Sequence, residues 1–270
     1  MASYVIGDIQ GCFKGLRKSL KAVQFDPSND TLWSVGDMIA RGDDSLSTLD
    51  LLCEMGSSFK PVLGNHDLNF LAIACGVRKP KPNDNLQPLL QSSALPRYVD
   101  WLRLQPLARK VDKKSLLVHA GLYPRWSIND CLQHADEFTK QLRSDSVVAL
   151  LESMYGSKPR KWQTDLCASD RYRFTVNACT RMRFISSQSE LDFECKEASS
   201  PTSTDLKPWF TVKNAQITKK QRVFFGHWAA LNGVLDQKHF YGLDTGYVWG
   251  GALTMLRVED MKLFSYKNQS

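Results

Sequence analysis

The sequence predicts a layered α/β domain, and three observations carry that expectation. A strand-like apolar run followed by a helical segment occurs three times before residue 75. Each time, Gly and polar residues stand just past the strand's carboxyl end, where open α/β sheets gather their ligand-binding groups. Four further strand-like runs fill the chain from residue 221 onward.

In chain order, YVIGDIQGC (4–12) runs apolar into Asp8 and a Gly-containing turn. GCFKGLRKSLKAVQF (11–25) then sets Phe13, Leu16, Leu20 and Val23 at helical spacing, with Lys14, Arg17, Lys18 and Lys21 on the other side. DTLWSVGD (30–37) is the second strand, DSLSTLDLLCEMG (44–56) a helix closed by Gly56, and FKPVLGNHD (59–67) the third strand. Residues 76–96, rich in Pro, Asn and Lys, read as a surface excursion with one short helix. RYVDWLRLQP reads as a helix, LARKVD and KSLLVHAG as a hairpin, and 130–155 as two consecutive helices. Residues 197–208 read as a loop, followed by strands in QRVFFGHW, KHFYGLDTG, GALTMLRVE and KLFSYK. The expectation is one domain over 1–270, with a helical, cap-like insertion at about 120–196.

Hydrophobic residues make up 43% of the 270 and charged residues 23%, which excludes collagen-like, coiled-coil and disordered classes. The net charge of +7 favours anionic partners without choosing one. Its basic clusters, RKSLK (17–21), RKPKP (78–82) and KKQR (219–222), are dispersed and read as solvated faces. Seven cysteines without a C-x-x-C pair indicate reduced thiols. With neither a signal-peptide pattern nor an apolar run near the ~18 residues of a membrane span, the expected location is the cytoplasm.

The strand-end signals are GDIQG (Asp8, Gln10), GDMIARG (Asp37, Arg41), GNHD (Asn65, His66, Asp67), VHAG (His119) and GHW (His227). Singly, each is an ordinary turn or a core histidine. Together they hold three of the five histidines, and two aspartates, an asparagine and two histidines among them make a donor set suited to Mn, Fe or Co rather than a closed zinc site. His134 and His239 lack such a context.

In order and content, these motifs resemble the binuclear calcineurin-like metallophosphoesterases, and within them the symmetrical diadenosine tetraphosphatases. The resemblance extends to VLGNHDLNFLA, HAGLYPRW, NACTRMRF, LKPWF, FGHWAAL and YGLDTGYVWGGALTMLRVED, nearly the whole chain. It implies two mixed sheets packed as a sandwich, flanked by helices. The activity implied is metal-dependent hydrolysis of diadenosine tetraphosphate at its central linkage to two ADP, with related dinucleoside polyphosphates and tetraphosphate-capped RNA 5′ ends as further substrates. Two divalent ions are implied, manganese first, with cobalt or magnesium as alternatives. By the family pattern Asp8, Gln10 and Asp37 hold one ion, and Asp37, Asn65, His119 and His227 the other. His66 protonates the leaving oxygen, Arg41 grips phosphate, and Arg181 and Arg183 are further phosphate ligands. No membrane and no obligate protein partner are expected.

Two departures stand out. Gln10 occupies a position that most metallophosphoesterases fill with imidazole, and its neutral carbonyl oxygen makes that site harder, leaning to Mn or Mg. Ala40 replaces the Asp by which phosphoprotein phosphatases orient the general-acid histidine, which counts against a protein phosphatase or general phosphodiesterase. A dinucleotide-binding sensor is the non-catalytic alternative that Gln10 motivates. The R-E-x-x-E-E string of asymmetric hydrolases is absent. Tyr155, Trp162, Trp209, Trp228 and Trp249 form the pool for base stacking, none singled out.

Overall fold

Three successive strand-to-helix steps open the fold: β1 (Ser3–Ile6) into α1 (Phe13–Ala22), β2 (Thr31–Ser34) into α2 (Ser45–Glu54), and β3 (Phe59–Pro61) into α3 (Asn65–Ala74). The three strands pair in parallel, Val5 opposite Trp33 and Leu32 opposite Phe59, so their carboxyl ends share one edge. The computed structural model describes residues 1–195, 205–233 and 239–268. Helix α1 buries Leu16 and Leu20 and leaves Lys14, Arg17 and Lys18 in solvent, as the 3.6-residue period requires. Asp44 caps α2, its carboxylate accepting from Ser47 N at 2.9 Å, and Gly56 closes the helix at φ +54°.

The excursion 76–96 is more structured than its composition suggests, with a 3₁₀ turn at Pro82–Asp84 and α4 (Gln87–Leu90) before α5 (Leu95–Arg103). Strands β4 (Ala108–Lys110) and β5 (Ser115–Val118) form the expected hairpin, Ala108 opposite Val118. Helices α6 (Ile128–Arg143) and α7 (Val147–Ser153) follow, α6 opened by a reciprocal Ser127–Asp130 capping box. Sequence periodicity missed α8 (Ala168–Thr180) and a small antiparallel sheet of β6 (Phe184–Ser186), β7 (Leu191–Asp192) and β8 (Leu206–Pro208). Helix α8 is buried over most of its last two turns, so it lacks the polar stripe that marks a surface helix. The expected loop at 197–208 lies largely outside the described residues, and Leu206–Pro208 is strand β8. The final strands are β9 (Arg222–Phe225), β10 (Phe240–Gly242), the short β11 (Asp244–Thr245), β12 (Ala252–Arg257) and β13 (Lys262–Lys267).

Two mixed sheets result. The larger has six strands: β1 joins β2 and β12, β2 joins β3, and β12 also carries β11 and β13; the other runs β10-β9-β5-β4. Alternation along the strands decides what lies between them. Val5, Trp33 and Leu256 from the first sheet and Leu117 and Phe224 from the second form one buried cluster. Their neighbours Tyr4, Ile6, Leu116, Val118, Val223 and Phe225 belong to the separate cluster under the helices. This is a sandwich with helices outside. Strands β5 and β9 are parallel, so the loops after β1, β2, β3, β5 and β9 that carry the five motifs all leave strand carboxyl ends. No helix among the described residues is long and apolar enough to cross a membrane.

Candidate active site

Asp8, Asp37 and His119 meet where the two sheets' carboxyl ends converge. One ligand atom from each lies within 4.8 Å of the others, and all three residues are buried. The loops are stitched around Asp37, which sits at φ +49°. Its carbonyl accepts from Ile9 N at 3.2 Å and Gln10 N at 2.8 Å, and its Oδ1 accepts from His66 N at 2.8 Å. Gln10 is thereby held against the group, and among the described residues no hydrogen bond occupies its buried side-chain amide.

The histidines have the chemistry of ligands. Nδ1 of His119 lies 2.9 Å from the Val35 carbonyl oxygen, which only accepts, so Nδ1 carries the hydrogen and Nε2 turns to Asp37 Oδ2 at 3.4 Å. Burial opposes a charge on His119, yet Asp37 and Asp8 outweigh it and push the imidazole up to about 10. The site draws positive charge to Nε2, and a divalent cation supplies it as well as a proton does. Burial and Arg183 hold His227 well below its ordinary value, keeping it neutral. Its backbone N–H donates to both Asp8 oxygens, at 3.2 and 3.3 Å, and among the described residues its buried Nε2 has no partner. Burial, with Asp244 and Asp37, raises Asp8 well above the usual carboxylate range. Asp37 is held below that range: burial opposes its charge, but His119 and His66 prevail.

The Asn65 amide sets one terminal atom 3.2 Å from His119 Nε2, 3.0 Å from His227 Nδ1 and 3.0 Å from the Thr180 carbonyl oxygen. An amide nitrogen there has two hydrogens for three acceptors. An amide oxygen there joins electron-pair donors that only a cation reconciles. With two carboxylates crowded together and an unpartnered imidazole nitrogen, the residues present fit a divalent metal.

Two glycines are required by close approach. A Cβ built on Gly64 would fall on Oδ1 of Asp37, and one on Gly226 would fall on Oδ1 of Asp8. Gly226→Ala is therefore expected to displace Asp8 and weaken metal binding at least about tenfold, measured by calorimetric titration with Mn; unchanged affinity would show that the Asp8 loop adjusts freely.

A cleft of about 450 Å³ opens beside this group. His66 and Asn65 line it with Arg41, Arg78, Lys81 and Arg181, and among the described residues Asp84 is its one carboxylate. Arg41, whose Nη2 lies 3.8 Å from Asp84 Oδ1, contributes a buried Nε that has no partner among the described residues. Arg181 is braced by Asn177 Oδ1 at 2.8 Å, while Arg183, not among the residues lining the cleft, donates to the His227 carbonyl at 3.2 Å. The Arg pair at the end of α8 thus reaches two different parts of the site. Asp67 spends both oxygens on backbone, accepting from Met38 N at 3.0 Å and Gly64 N at 2.9 Å. Like Ala40 it leaves the His66 ring unoriented, and among the described residues no other side chain bonds that ring.

Sequence reasoning missed Arg78 and Lys81, which belong to the cluster read as a solvated face; its nearness to GNHD in the chain was the available signal. Arg78 packs 4.3 Å over the Tyr155 ring in the cleft wall. It also missed Asp244, which burial pushes up to about 6 beside Asp8. Of the aromatic pool, Trp209 and Trp228 are core residues. Trp162 packs with His134 and Trp126, ring centroids 4.3 and 5.0 Å away. Tyr155 lines the cleft, and Trp249 is 68% exposed.

The family model described as calcineurin-like phosphoesterase matches residues 1–177. A relative from Vibrio vulnificus named "Bis(5'-nucleosyl)-tetraphosphatase, symmetrical" is 44% identical over 268 residues, 99% of this chain and 98% of its own. One of the same name from Sodalis glossinidius is 42% identical over 261 residues, 96% of this chain and 92% of its own. Among solved structures, one named "putative diadenosine tetraphosphatase" shares the fold at TM-score 0.66 and 24% identity, covering 100% of this chain and 94% of its own.

Proposed function

The chain belongs to the calcineurin-like phosphoesterases, among the symmetrical bis(5'-nucleosyl)-tetraphosphatases, and from that premise we propose how its residues cleave diadenosine 5′,5′′′-P1,P4-tetraphosphate at the central linkage into two ADP. One observation carries the reading: a cleft walled by Arg41, Arg78, Lys81 and Arg181 reaches Asn65 and His66, which touch His119 and Asp37 of the buried Asp8–Asp37–His119 group. A polyphosphate chain fits such a wall, because each phosphate brings charge that guanidinium and ammonium groups meet with charge-assisted hydrogen bonds.

Asp8, Gln10 and Asp37 would hold one divalent ion, and Asp37, Asn65, His119 and His227 a second. Manganese suits the hard oxygen donors best, with cobalt or magnesium as alternatives. When bound, such ions neutralise phosphate oxygens and lower the pKa of a nearby water. The unpartnered Nε of Arg41 is available to a non-bridging phosphate oxygen. Arg181 reaches the chain from the facing wall, and Arg183, beside His227, reaches it from the metal side. The His66 ring, in the cleft next to Asn65, gives its proton to the departing ADP oxygen. The segment at about 120–196 acts as a cap, placing Tyr155 and Arg181 across from Arg41.

Other dinucleoside polyphosphates share the bridge and are expected substrates, as are RNA 5′ ends capped through a tetraphosphate. Seven free cysteines fit a cytoplasmic location.

The test is product analysis after incubating chelator-stripped protein with diadenosine tetraphosphate, with and without Mn. ADP as sole product, only with metal, is expected. AMP plus ATP would overturn the cleavage position, and no turnover with Mn, Co or Mg would favour the sensor.

A further inference from the structure

We infer that a second cleft, which shares Arg41 as a wall, receives the other nucleoside-phosphate half of the substrate, and that Lys14 and Lys18 bind its phosphates. The inference rests on the hydrolase reading above. A substrate cut at its centre has two equal halves, and the cleft beside His66 offers room for one. The second cleft is of similar size, about 540 Å³ against 450 Å³.

The two clefts are joined through one hydrogen-bonded wall. Arg41 lines both, Asp84 faces the first and Asn85 the second. Arg41 N donates to the Asp84 carbonyl at 3.0 Å, and Asn85 Nδ2 donates to the Arg41 carbonyl at 2.8 Å. The second cleft also begins at the metal loop. Gly42, in its wall, donates its N–H to the Gln10 carbonyl at 2.7 Å. A polyphosphate centred on the metal group can thus pass Arg41 into either cleft.

The lining suits phosphate. Lys14 and Lys18 stand one turn apart on the exposed face of α1, so both ammonium groups serve the same stretch of chain. Among the described residues neither forms an ion pair, and Asp43 is the only carboxylate lining the cleft. Lys18 Nζ lies 5.8 Å from the Tyr266 ring centroid. Next to the lining residue Val248, Trp249 leaves 68% of its surface exposed, an aromatic face on which a base can stack.

Steady-state kinetics on diadenosine tetraphosphate with Mn test this. The double variant Lys14→Ala/Lys18→Ala should raise KM about tenfold or more with kcat within about twofold, and Lys14→Arg/Lys18→Arg should keep the wild-type KM. An unchanged KM in the alanine variant, or a fall confined to kcat, would overturn the inference while leaving the hydrolase reading intact. Wild-type protein that makes no ADP would sink that reading, and the inference with it.

Discussion

Asp37→Asn leaves the protein folded and lowers turnover of diadenosine tetraphosphate by about a thousandfold or more. Asp37 ties three of the site's loops together: its carbonyl anchors Ile9 and Gln10, Oδ1 accepts from His66 N and Oδ2 faces His119. The amide keeps the shape and the carbonyl anchors, but it loses the negative charge on which both proposed metal positions depend. A thousandfold corresponds to about 4 kcal/mol of transition-state stabilisation. The measurement is kcat/KM with saturating Mn beside thermal unfolding with and without metal. The apo variant should melt below the wild-type temperature, because the charge that His119 and His66 hold ionised in the fold is gone, and the upward shift on adding Mn should shrink. Activity within tenfold of wild type would sink the proposed role of Asp37.

His66→Asn should cost about a hundredfold in kcat and leave metal affinity unchanged. His66 lines the cleft beside Asn65, and only its backbone N–H bonds Asp37, so removing the ring spares the proposed ligands. A positioned general acid contributes roughly 10²–10⁴-fold. The loss should grow with the basicity of the leaving group, larger for phenyl phosphate than for p-nitrophenyl phosphate. Equal losses on both esters, or weaker Mn binding, would remove His66 from the acid role and make it a metal or structural residue.

Much of this was legible because the relevant signals are local. A strand that ends in Gly-Asp or Gly-Asn-His declares both its direction and its polar cargo within a few residues. Asp8, Asp37, Asn65, His119 and His227 could therefore be named together before their geometry was known. Helix α1 was equally plain, its apolar stripe and lysine face written at a 3.6-residue period. Helix α8 was not, since burial on most sides erases that period. Arg78 and Lys81 were misread for a related reason: a basic cluster in a proline-rich excursion has the same composition whether it faces water or a phosphate cleft.

The sequence by itself determined which donors stand at the strand ends and which three strand-to-helix steps carry them, since strand termini, caps and amphipathic faces are set by neighbours along the chain. Only the tertiary structure decided what those donors meet. It took the pairing of β5 with β9 and the face-to-face packing of the sheets to bring His119 to Asp37, and the return of the 76–96 excursion to Asp84 and Asn85 to build a wall around Arg41. Those contacts join residues tens of positions apart, and no local pattern of hydrophobicity, charge or turn chemistry encodes them.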